Sequence, residues 1–237
     1  MKKYFSLTSL IISVLLITLV VSCGKKNDQE EETYPDPVSW SPEPVNGYLP
    51  TSVLPAALVD TVSQFIEIHS GDTPAEVWGQ FLSEPHVLIF STASTDTIGK
   101  EFDPRYICFQ RNGERVNFVG KQGDYEESYY KLNVVGTGEN FTCYYITEGY
   151  PNGMYAKQAT IFSGKWTENL GGLGDFKVAV VLLVTSGNPN LEPVNTFRVL
   201  GDADGLAENN PWLGGKRADF GTEKMSNEDA FRMFRVK

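Results

Sequence analysis

Between Val77 and Leu200 the chain carries eight runs rich in β-branched and aromatic residues, separated by turn residues rather than helices. A parallel pair would need a crossover of a dozen or more residues, normally a helix, and none fits between these runs. The expected strands are Val77–Leu82 running on through Val87–Ser91, then Arg105–Gln110, Arg115–Lys121, Tyr129–Val135, Phe141–Thr147, Tyr155–Thr167, Phe176–Thr185 and Val194–Leu200. Asn112-Gly113 and Asn152-Gly153 mark hairpin turns, and Gly136-Thr137-Gly138 a looser third. The sheet is therefore antiparallel and largely a meander. Eight strands in that order lose their exposed edges by closing into a barrel. The same pattern also fits a β-sandwich, which stays as the alternative.

The flanks of this region read differently. Residues 24–52 hold Pro35, Pro37, Pro42, Pro44 and Pro50, a semi-rigid tether. Pro55 opens a short helix with Leu58, Val62, Phe65 and Ile66 at helical spacing, ended by Gly71 and Pro74. The run from Ala179 to Val184 is apolar on both strand faces, so its second face needs a cover, from the N-terminal helix or from residues 206–237. Ser226-Asn227-Glu228-Asp229 has the form of a helix N-cap box, with Phe231 and Phe234 as a short apolar stripe after it.

The N-terminus carries an address. Lys2 and Lys3 precede an uncharged, mostly apolar segment from Leu10 to Val21, too short to cross a bilayer, which needs about 20 apolar residues. Leu19-Val20-Val21-Ser22-Cys23 resembles the bacterial lipobox. The resemblance implies cleavage before Cys23, lipidation of its sulfur and usually acylation of the new amine. It divides the chain into a signal peptide (1–22), a lipidated tether (23–52) and a β domain (53–237). Gly24 in place of Asp resembles the sorting signal for the outer membrane of Gram-negative bacteria. Lys25-Lys26-Asn27-Asp28-Gln29-Glu30-Glu31-Glu32 is similar to the acidic signal of surface lipoproteins of Bacteroidota. The expected location is the outer membrane, facing outward, with the periplasmic face as the other arrangement.

A further resemblance concerns the domain. A helix followed by Trp78-Gly79-Gln80-Phe81 at the head of eight meandering strands resembles a lipocalin, in which a Gly-x-Trp sits over a helical turn that plugs the closed end of the barrel. Here Phe81 stands at the tryptophan position. The resemblance implies the barrel and brings no known ligand with it; an eight-stranded interior either fills with side chains or holds one small apolar or amphipathic ligand.

Charge and chemistry narrow the functions. The precursor has a formal charge of −10, and removal of Lys2 and Lys3 gives −10 − 2 = −12. Such a chain lacks the basic face that nucleic acid requires, and anionic head groups would repel it, so lipid rather than charge must hold it to a membrane. Beyond Cys23 only Cys108 and Cys143 remain, on strands that are not neighbours, and both are expected as free thiols. His69 and His86 lie in no metalloprotease motif, and no serine sits in a nucleophile elbow. His69-Ser70-Gly71-Asp72 reads as a turn, and His86 as a loop residue. Asp202-Ala203-Asp204-Gly205 carries the one weak metal candidate, the carboxylates of Asp202 and Asp204. Alignment with a calcium loop puts Leu200 and Pro211 where ligands are needed, so an Asp/Gly turn is the first reading and no cofactor is expected. Glu126, Glu127, Glu139 and Glu148 fall at turns or strand ends, with nothing to select a catalytic pair among them.

Aromatic residues are the more informative set: Tyr125, Tyr129, Tyr130, Tyr144, Tyr145, Tyr150, Tyr155, Trp166 and Trp212. Adjacent tyrosines on a strand point to opposite faces, so one of each doublet lines the interior. Tyr129, Tyr145 and Trp166 are the expected ligand contacts. The sequence reading is a non-catalytic, lipid-anchored barrel that captures a small ligand. Its alternatives are a structural or partner-binding protein with a packed core, and a glycan binder with aromatics on one rim.

Overall fold

The computed structural model describes residues 34–167, 169–210 and 225–236. The compact unit runs from Pro35 to the C-terminus. Its strands are β1 (Val38–Trp40), β2 (Asp72–Thr73), β3 (Gly79–Ser83), β4 (His86–Ser91), β5 (Glu101–Phe102), β6 (Arg105–Asn112), β7 (Arg115–Gln122), β8 (Tyr125–Thr137), β9 (Asn140–Gly149), β10 (Ala156–Trp166), β11 (Gly172–Val184), β12 (Phe197–Asp202) and β13 (Leu206–Asn209). Two short helices, α1 (Ala56–Val62) and α2 (Asn227–Ala230), flank them.

The strands close into an eight-membered, all-antiparallel barrel, with β1, β2 and β5 outside it. Two of the eight members are bent. The β3–β4 stretch pairs with the β12–β13 stretch, β4 against β12 and β3 against β13, and this closes the ring between first and last. Around the ring each member otherwise pairs with the next in sequence, from β3–β6 through β10–β11 to β11 with the β12–β13 stretch. The sandwich alternative is thereby excluded. At the first hairpin Asn112 pairs with Arg115, so the loop is Gly113-Glu114, with Gly113 at φ +67°.

Strand alternation builds two apolar layers rather than one. The inner layer fills the barrel with Phe81, Phe109, Phe118, Phe141, Phe162 and Phe176 among its rings. The outer layer joins Tyr144, Ile146, Ala159, Ile161, Ala179 and Val181 to Val53, Leu54, Val62 and Ile66. The wall formed by β9, β10 and β11 is thus buried on both sides, which accounts for its continuous apolar sequence.

That outer layer bears out the helical segment as the cover of the Ala179–Val184 wall and corrects its place as the plug that the lipocalin resemblance implies. The N-terminal helix lies on the outside of the wall, with Val62 fully buried there. The barrel is plugged instead by the C-terminal segment: Ala230, Phe231 and Phe234 belong to the inner layer, with Met225 and Met233 packed against it. Ser226 caps α2, its Oγ accepting from Asp229 N at 3.0 Å. Gly149 makes room for the plug: a Cβ there would stand 2.5 Å from Asn227 Oδ1 and 3.1 Å from Phe231 Cε2.

The proline-rich stretch also enters the fold. Val38–Trp40, within the segment read as tether, pairs with the far end of β9 as β1. It takes the side of β9 that β8 has left, since β8 pairs with β9 only over Asn133–Val135. Cys108 and Cys143 are free and buried, on β6 and β9. Among the described residues no helix is long and apolar enough to cross a membrane.

Candidate functional site

Beneath the plug the barrel changes character. Arg105 at the head of β6 and Glu127 on β8 form an ion pair with side chains 11% and 7% exposed, deep enough that the charges must satisfy each other. The other carboxylate oxygen of Glu127 accepts from the hydroxyls of Tyr129 (3.3 Å) and Tyr145 (3.4 Å). Those two rings stack with centroids 3.8 Å apart. Burial first, and the nearby Glu127 carboxylate with it, holds both phenols well above their ordinary pKa, so they act as hydrogen-bond donors. The guanidinium of Arg105 lies over the Phe162 ring at 5.9 Å.

The plug contributes to this chemistry. Gln158 Nε2 donates to the carbonyl of Ala230 at 2.7 Å, and Arg198 donates to that of Met233. Glu192 N donates to Phe234 O at 2.8 Å. Arg232 sits over the Tyr125 ring at 3.5 Å.

A cavity of about 40 Å³ lies between plug and barrel, lined by Arg105, Glu127, Tyr129, Tyr145, Gln158 and Thr160 among others. Two buried polar atoms of its lining residues, Arg105 Nε and Gln158 Oε1, have no partner among the described residues. A water needs roughly 10–15 Å³ of such volume and two to four polar partners, so the space accommodates solvent or one very small group.

His86 stands at the same end. It is not in a loop: it opens β4, is 1% exposed, and its Nδ1 lies 3.0 Å from Ser83 Oγ. Burial, and then the charge of Arg105, lower its pKa to about 3, so the ring is neutral. The Ser83 hydroxyl also meets the Asp202 carboxylate. The order is thus His, Ser, Asp, with the serine in the middle. A nucleophilic triad needs the imidazole in the middle, so this set cannot activate Ser83 in that way.

The remaining expected residues are distributed as follows. Asp202 Oδ2 accepts from Glu84 N at 2.9 Å and Asp202 Oδ1 from Asp204 N at 3.1 Å, while Asp204 Oδ1 accepts from Leu206 N at 2.9 Å. The two carboxylates shape the bend between β12 and β13, and no cluster of three potential metal ligands occurs among the described residues. His69 lies apart from these groups, its backbone N donating to Thr142 Oγ1 at 2.9 Å. Trp166 is at the opposite rim of the barrel, 6.0 Å from the ring of Trp78, which is 55% exposed. Of the three expected ligand contacts, the fold brings together Tyr129 and Tyr145 only. Cys23 and Trp212 lie outside the described residues.

Arg105, Glu127, Gln158 and His86 were missed as interior groups. The signal that finds them is strand phase: Arg105 shares a face with Ile107 and Phe109, and Glu127 with Tyr129.

Comparison with protein-family models, with curated proteins and with solved structures finds no match. The functional reading therefore rests on the fold and the chemistry of the site.

Proposed function

We propose that this chain is a lipid-anchored outer-membrane protein, non-catalytic, whose barrel admits a small amphipathic ligand at its polar end once the C-terminal plug moves aside. The observation that carries the reading is a cavity at the polar end whose lining residues include Arg105 and Gln158, each with one buried polar atom that has no partner among the described residues. An unpaired buried group costs about 1–3 kcal/mol, a cost a ligand can remove. The aromatic walls supply apolar contact, and Arg105, Tyr129 and Tyr145 supply donors. The plug is held by main-chain carbonyls accepting from Gln158 and Arg198, the kind of contact a ligand carbonyl or carboxylate can replace.

A second reading is favoured by the small size of the cavity. Ligand pockets usually span about 300–1,000 Å³, and about 40 Å³ is what a packed, structural barrel would show. Native mass spectrometry of the chain purified from its own host separates the two. A reproducible added mass, lost on denaturation, supports capture. A clean apo mass, unchanged by a lipid and metabolite extract, leaves the packed barrel. Anchoring is tested independently: palmitate is expected to label the wild-type chain and not Cys23→Ala.

A further inference from the structure

The arm that leads into the barrel presents its apolar residues outward. Val38 (61%), Trp40 (41%), Val45 (59%) and Tyr48 (62%) are all exposed, within one stretch of eleven residues (48 − 38 + 1). Among the described residues of the compact unit, the other exposed large hydrophobics are spread singly from Val59 to Val236. Single exposed apolar residues are ordinary, whereas a run of them marks an interaction surface.

The arm is held so that these side chains cannot turn inward. On β1, Ser39 takes the inner position and its Oγ meets Thr147 Oγ1 at 2.8 Å, which leaves Val38 and Trp40 together on the outer face. Asn133 N donates to Ser41 Oγ at 3.0 Å, and Arg115 pairs with Glu43. Val45 and Tyr48 face each other across a tight turn whose Asn46 and Gly47 have φ of 52° and 73°, the geometry of a type I′ hairpin. The apolar residues are therefore ordered before they meet any partner, so docking costs little conformational entropy.

We infer that this arm is a bilayer-docking surface, with the interfacial layer of a lipid membrane as its occupant. The inference rests on the proposed acylation of Cys23. Pro35 follows Cys23 by twelve residues (35 − 23). At no more than about 3.6 Å per residue, the arm stays within roughly 43 Å of the anchor. Tryptophan and tyrosine favour the membrane–water boundary, where one edge of the ring is apolar and the other wet. The Trp40 ring also has Lys157 Nζ 5.4 Å from its centre, a cation that is itself paired with Glu148 Oε1 at 3.1 Å. With such an anchor a membrane is presented to the arm continuously.

The test uses the full acylated chain in phosphatidylcholine vesicles, with and without acyl chains brominated close to the head group. Two single-tryptophan variants are compared, one keeping Trp40 and one keeping Trp78, the others replaced by Phe. Flotation reports anchoring and emission reports docking. The expected result is a blue-shifted, bromine-quenched Trp40 and an unquenched Trp78, with the Trp40 quenching lost on adding Val45→Ser and Tyr48→Ser. Chains that float with Trp40 as unquenched as Trp78 overturn the docking and leave the anchor standing. Chains that do not float remove the anchor, and the docking with it. Should these variants not fold, a nitroxide on Val45→Cys decides the matter: oxygen access supports docking, and access to a water-soluble relaxer overturns it. Cys108 and Cys143 are buried and do not compete for the label.

Discussion

The two ends of the barrel are built from the same strands and closed by different means. At one end Phe231 and Phe234 are fully buried, and strand side chains reach the carbonyls of the entering segment. At the other, the hairpin glycines Gly113, Gly138 and Gly171 would meet nothing within 4 Å if given a Cβ, and Trp78 stands half in solvent against Trp166. The difference teaches what sets the chemistry of a barrel mouth. A chain segment that enters brings backbone carbonyls, and the wall must supply donors such as Gln158 and Arg198. The far end also takes a segment, with Val77 buried in the inner layer. Its main chain pairs with that of the hairpins, Ala75 N donating to Asn140 O at 3.3 Å and Gly138 N to Thr73 O at 2.9 Å. Its demand is thus met mostly by backbone rather than by buried side-chain donors.

This contrast can be broken most severely at the plug. Phe231→Ala is expected to destabilise the protein by about 3–5 kcal/mol in denaturant titration, as for other fully buried aromatics. Glu127→Leu is expected to cost about 3–5 kcal/mol, because it leaves the Arg105 charge buried and unpaired. Most of that loss should return in the double variant with Arg105→Leu, and a double variant no better than the single would show that the pair is not the issue.

Gly149→Val is a milder probe, about 1–3 kcal/mol by overpacking, and should loosen the plug without touching the polar network. Hydrogen exchange confined to residues 225–236 would report it. Acid acts at the same end. His86 binds its proton at a pKa of about 3 in the fold against 6.5 when unfolded. Its contribution is complete above pH 6.5 and is lost at about 1.4 kcal/mol per unit as pH falls toward 3. His86→Gln should flatten that limb of the stability–pH curve. The smallest effect belongs to the far rim, where Trp78→Ala should stay within about 0.5 kcal/mol of wild type. A larger loss there would mean that the two ends are not distinct.

Much of the architecture was legible in the chain. All eight barrel members overlap the expected β-rich runs, and the two-faced wall was visible in Ala179–Val184. The last member, though, continues past the Asp/Gly bend into β13, Leu206–Asn209, which the sequence reading assigns to the tail. The tyrosine doublets sorted as alternation requires: Tyr129 and Tyr145 inward, Tyr130 and Tyr144 outward. What alternation cannot give is which elements meet across a closed ring. Arg105 and Glu127 are 22 residues apart, and strand phase turns each toward the interior without saying that the two meet. The helix and the C-terminal segment had the right local signals, Pro55 before one and Ser226 before the other. Their places, outside the wall and inside the mouth, follow from complementarity between surfaces distant in sequence.

The plug also sets an order of events. Residues 225–236 supply the stopper of the core, and they are the last part of the described chain to be made. Before they dock the strands can pair, but the polar end stands open to water and Gln158 and Arg198 lack their carbonyl partners. The barrel thus completes its interior only when this segment enters, and a variant lacking residues 225–236 is expected to keep its wall and lose its seal.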